Sequence, residues 1–86
     1  MSKEVKEMYE GDGVAINTKY LLIIYSDGTL KLKRYYGDRC ADEDNPVLIP
    51  AGKGLRLQFG TPSVKTSIPF TKYYDGSVDK NWTKIK

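Results

Sequence analysis

Between Gly54 and Phe70 the chain repeats with a period of two. Leu55, Leu57 and Phe59 alternate with Arg56 and Gln58. Beyond the turn-forming cluster Gly60-Thr61-Pro62-Ser63, Val64, Thr66, Ile68 and Phe70 alternate with Lys65, Ser67 and Pro69. Successive side chains of a strand point to opposite faces, so this alternation predicts two half-buried strands and argues against a helix, whose apolar repeat is 3.6 residues. Pro69 has no N–H to give to a ladder, which predicts that the second strand lies at a sheet edge.

The stretch Ile23–Arg39, "IIYSDGTLKLKRYYGDR", is the clearest hairpin. A two-residue Asp27-Gly28 turn would set Tyr25 against Leu30, Ile23 against Leu32 and Leu21 against Arg34 on a mostly apolar face. The other face would pair Ile24 with Lys31, Leu22 with Lys33 and Tyr20 with Tyr35, the lysine stems covering apolar neighbours. "YYGDRCADEDNP" reads as irregular, with Asp42-Glu43-Asp44 a solvated acidic loop. "PAGKG" reads as a turn between strands: its glycines are too close together for a phosphate-binding loop and no Ser or Thr follows the lysine. A terminal strand contains Trp82 and Ile85.

At the N-terminus, Ser2 is suited to cap a two-turn helix with Val5, Met8 and Tyr9 on one side and Gly11 and Gly13 at its end. The expected fold is all-β and mainly antiparallel: a small five- to six-stranded barrel or curved sheet over residues 14–86, preceded by an arm or short helix over 1–13.

With 86 residues the chain has room for one small core, and such cores are commonly supported by a disulfide, a metal or a second subunit. Cys40 is the lone cysteine and there is no histidine, so an internal disulfide is excluded and a zinc site has almost no ligands. Self-association is the remaining common support, and a homo-oligomer is expected. The absence of paired cysteines and of an apolar leader in "MSKEVKEMYE" predicts a cytoplasmic protein. "YLLIIY" is too short to span a bilayer, so no membrane association is expected.

Without histidine, Ser-His-Asp and Cys-His catalysis are excluded, and the acids cluster or occupy turns rather than flank a cleft. The chain therefore reads as a non-enzyme without cofactor or metal. The net charge is a mild +3, but it is unevenly distributed. Residues 1–12 hold two cations and four anions, residues 19–39 five cations and two anions, and residues 53–86 seven cations and two anions. Cations are interleaved with aromatic rings in two blocks: Lys31, Lys33, Arg34, Tyr35, Tyr36 and Arg39 in one, Lys72, Tyr73, Tyr74 and Trp82 in the other. Lys53 stands at a turn tip.

Cations meet phosphates and aromatic faces stack on bases. These residues are accordingly the candidate site for an anionic ligand: a nucleotide, a cyclic nucleotide or single-stranded nucleic acid. Arg34, Tyr36 and Arg39 are expected to line it together. The alternative expectation is a protein–protein module or inhibitor, such as a phage or mobile-element accessory protein, since Tyr and Arg are also enriched at interface hot spots.

Overall fold

The computed structural model describes residues 4–13, 16–70 and 82–86. Among them eight strands form two curved antiparallel sheets rather than a closed barrel. The strands are β1 (Val5–Asp12), β2 (Thr18–Tyr25), β3 (Leu30–Tyr36), β4 (Arg39–Glu43), β5 (Val47–Ala51), β6 (Gly54–Thr61), β7 (Val64–Phe70) and β8 (Trp82–Lys84). One sheet has the order β4-β3-β2-β1-β8 and the other β5-β6-β7. No described helix is long and apolar enough to cross a membrane.

The turns explain the connectivity. In the β3–β4 and β5–β6 hairpins the register leaves two-residue loops, Gly37-Asp38 and Gly52-Lys53, each opening on a glycine of positive φ (63° and 58°). A glycine at the first central position is the II′ pattern, whose twist matches that of the flanking strands. "PAGKG" is therefore a hairpin turn. β7 is an edge strand, as Pro69 predicts, and β5, which carries Pro50, is the opposite edge.

Three expectations need correction. The N-terminal segment contains no helix among its described residues: β1 hydrogen-bonds to β2 on one side and β8 on the other. An isolated two-turn helix is marginal in water, and two ladders outweigh it. Secondly, the segment read as an irregular acidic loop is largely β4, an edge strand despite its polar sequence, because the Gly37-Asp38 turn folds it back on β3. Thirdly, the β2–β3 register differs by one residue from the two-residue-turn expectation. Tyr25 N–H donates to the Thr29 carbonyl and Gly28 N–H to the Tyr25 carbonyl. The loop is thus the three residues Ser26-Asp27-Gly28, with Gly28 at φ 92° and Thr29 held to the Asp27 carboxylate through both its N–H and its hydroxyl. Such a loop carries one residue more than a two-residue turn and ends in a bulge.

The extra residue reassigns faces, since a slip of one exchanges opposite partners. Leu22 pairs with Leu32, Ile24 with Leu30 and Tyr20 with Arg34, whereas Ile23 pairs with Lys31 and Leu21 with Lys33. Tyr20, Leu22 and Leu32 join Tyr9 and Trp82 on the inner face of the larger sheet. Leu57, Phe59 and Phe70 meet them from the smaller one. Aromatic rings fill the centre: Phe70 packs edge-on against Tyr9 and Trp82, and Tyr20 tilts against Phe59.

Gly60 has φ 120°, and a Cβ there would collide with the Val64 carbonyl oxygen on the neighbouring strand. Its own N–H donates to the Asp44 carbonyl, tying the β4–β5 connection to β6. Gly60→Ala is expected to lower unfolding stability by about 1–3 kcal/mol, measured by urea denaturation. Ala at Gly52, where a Cβ meets open space, would carry only the cost of its positive φ and lose less.

Candidate functional site

The six candidate residues of the first basic block divide between the two faces of the larger sheet. Alternation sends Lys31, Lys33 and Tyr35 to the outer face, where Asp42 lies directly opposite Lys33. One carboxylate serves both lysines: Asp42 Oδ2 is 3.8 Å from Lys31 Nζ and Oδ1 is 3.9 Å from Lys33 Nζ. Ile23 lies between Met8 and Lys31 in register and is nearly covered. The expected alternation of lysines with apolar residues thus holds, with partners displaced by one. Tyr35 stands opposite Cys40; burial first, and then the thiol beside it, push its phenol above the ordinary tyrosine value.

Arg34 and Tyr36 share the other face, as their spacing of two in a strand requires, and the register sets Arg39 there as well. Tyr36 and Arg39 are cross-strand partners flanking the Gly37-Asp38 turn, and the Arg34 guanidinium carbon is 5.3 Å from the centre of the Tyr36 ring. The Tyr36 side of this arrangement is open to solvent, with 36% of the residue exposed. Arg34 is less free than the sequence suggests. Its Nε lies 3.1 Å from Glu43 Oε1, shielded from water, in an ion pair whose angle is too poor for a hydrogen bond. Arg39 is exposed and forms no ion pair among the described residues. The cluster therefore comprises an anchored cation, an accessible ring and a cation available to an incoming anion.

Lys53 is exposed at the tip of the β5–β6 turn, away from this cluster in the strand order. Lys72, Tyr73 and Tyr74 lie outside the described residues. Trp82 is corrected from ligand contact to core. It is 1% exposed, its ring packs on Phe70 with centroids 5.1 Å apart, and its Nε1–H donates to the Pro69 carbonyl at 3.1 Å. Neither its π face nor its donor is available to a ligand. Among the described residues no group of acids, cysteines or histidines is arranged to hold a metal ion.

Two features had escaped the sequence reading. At one end of the core the Tyr9 hydroxyl donates to Glu7 Oε1 at 2.9 Å, while Lys84 Nζ lies 3.6 Å from the same oxygen. Burial, followed by this hydrogen bond and the Glu7 charge, pushes the Tyr9 phenol up to about 12. Beside it opens a cleft of about 790 Å³ between the β2–β3 turn, β1 and β5. Its apolar wall is Ile24, Leu30, Leu48 and Leu55, and Lys6 and Glu7 stand on the β1 side. Neither feature was legible, because each requires residues from strands whose pairing the chain order does not reveal. Comparison with protein-family models, characterised proteins and solved structures finds no match for this chain.

Tyr9 gives a sign-defined test. Its folded-state pKa exceeds the unfolded value of 10.0, so its contribution is intact below pH 10 and is lost as pH rises through 12, because the unfolded chain ionises first. Denaturation measured from pH 9 to 12 is expected to show a steeper loss of stability in the parent protein than in Tyr9→Phe. The difference approaches about 3 kcal/mol, as two pKa units imply.

Proposed function

We propose that the protein is a non-enzymatic binding protein that captures a phosphate-bearing, base-containing ligand, a nucleotide or single-stranded nucleic acid, at the β3–β4 end of the larger sheet. The observation that carries this reading is the Arg34–Tyr36–Arg39 cluster: an exposed ring backed by one cation and facing another across a two-residue turn. A base stacks on the Tyr36 ring. Arg39 takes the phosphate through its forked donors, and Arg34, tethered by Glu43, keeps the ring oriented. Lys31 and Lys33 contribute less, since Asp42 already balances part of their charge on the opposite face.

Fluorescence anisotropy with a labelled single-stranded oligonucleotide tests this reading, with a mononucleotide as the second arm. Tyr36→Ala is expected to weaken oligonucleotide binding by about 1–3 kcal/mol, the usual worth of a stacked base. Arg39→Gln is expected to reduce the slope of log affinity against log salt by about 0.7, the share of one phosphate contact on a single strand. Mononucleotide binding without a salt-dependent oligonucleotide complex identifies a small nucleotide as the ligand. Absence of binding to both at low salt contradicts the reading.

A protein partner, a second copy included, is the second reading, favoured by the edge strand β7 with its strongly exposed Val64 and its exposed Pro69. Under this reading, sedimentation equilibrium is expected to show association strengthening with concentration, weakened by Val64→Lys. A monomer at every concentration removes self-association.

A further inference from the structure

The cleft beside Glu7 is independent of the Arg34–Tyr36–Arg39 cluster, and its chemistry is different. Ile24 and Leu30 face each other across the β2–β3 ladder, and Leu48 and Leu55 come from β5 and β6 of the other sheet. All four pack on the core, yet all are only partly buried. The reason lies in what fills the sandwich. Around the centre, rings from Tyr9, Tyr20, Phe59, Phe70 and Trp82 span the gap between the sheets. Towards the β2–β3 turn no aromatic ring lines the gap, and beside Ile24, Leu30, Leu48 and Leu55 a space of about 790 Å³ remains, within the range that holds a small molecule.

The β1 wall defines the charge. β1 carries an irregularity between Val5 and Glu7, so that Lys6 is the extra residue in its pairing with β2, and both Lys6 and Glu7 line the cleft. Glu7 is already engaged by the Tyr9 hydroxyl and balanced by Lys84. Lys6 is exposed and forms no ion pair among the described residues. With Glu7 balanced by Lys84, the charge left over at the cleft is the Lys6 ammonium.

We infer that this cleft binds a small amphipathic anion, its apolar body seated on Ile24, Leu30, Leu48 and Leu55 and its negative head directed to Lys6. Apolar burial supplies the attraction and the single cation sets the preference for charge. The nucleotide reading does not bear on this site, and a polar nucleotide would leave the four aliphatic side chains uncovered.

Sodium decanoate, 1-decanol and decyltrimethylammonium, each held below its micelle concentration, serve as probes in methyl NMR titrations of the full chain. Decanoate is expected to shift the methyl signals of Ile24, Leu30, Leu48 and Leu55 saturably and to bind more tightly than decyltrimethylammonium. Lys6→Glu, a change at an exposed position, is expected to weaken decanoate about two- to fivefold, the range an exposed ion pair supports, and to leave 1-decanol unchanged. Tyr36→Ala is expected to leave all three unchanged, which separates this site from the cluster on β3 and β4. The inference is overturned if no probe shifts these methyls saturably, if decanoate binds no better than the ammonium, or if Lys6→Glu leaves that preference intact.

Discussion

Phe70 inserted edge-on between Tyr9 and Trp82 is the contact on which the two sheets depend. Tyr9 and Trp82 belong to the larger sheet and Phe70 to the smaller, with ring centroids 5.4 and 5.1 Å apart. Each such pair adds about 0.5–1.5 kcal/mol beyond the burial of its area, and the Trp82 indole also donates to the Pro69 carbonyl across the interface. A three-residue strand such as β8 has few ladder bonds of its own. Trp82 gives it a reason to dock, in register with Gly11 of β1, which pairs with Tyr20 on its other side. Tyr20 against Phe59 repeats the arrangement further along the core.

The same core determines where function can reside. Rings occupy the middle of the sandwich, which consumes Trp82 and leaves Tyr36 as the accessible ring of the Arg34–Tyr36–Arg39 cluster. Charge is similarly segregated. On the larger sheet Asp42 and Glu43 meet Lys31, Lys33 and Arg34, so several cations there are balanced by neighbours. The span 46–70, which forms the smaller sheet, contains Lys53, Arg56 and Lys65 and no carboxylate. The smaller sheet is thus the more positively charged of the two by sequence.

The legible parts of the fold were those governed by local rules. The alternation of Leu55, Leu57 and Phe59 identified β6 and its buried face, and Pro69 identified the edge. Arg34 and Tyr36 were predictably on one face because they are two residues apart in a strand. The Ser26-Asp27-Gly28 loop was misread because Asp-Gly suits both two- and three-residue hairpins, and only Gly28 in a bulge distinguishes them. β1 was misread because Val5, Met8 and Tyr9 satisfy a helical spacing over too few residues to exclude a strand. The pairing of Asp42 with two lysines, the burial of Trp82 and the cleft at Ile24 all depend on contacts distant in sequence. No single segment carries their signal.

Under the proposed function an anionic, base-bearing ligand is held where β3 turns into β4. Mapping backbone amide and arginine side-chain NMR shifts during titration with a short oligothymidylate tests it most directly. Saturable shifts are expected at Arg34, Tyr36, Gly37 and Arg39, with the arginine side-chain signals of Arg34 and Arg39 among the largest. Shifts centred instead on Lys31 and Lys33, on the β5–β7 sheet, or on no contiguous surface would contradict it.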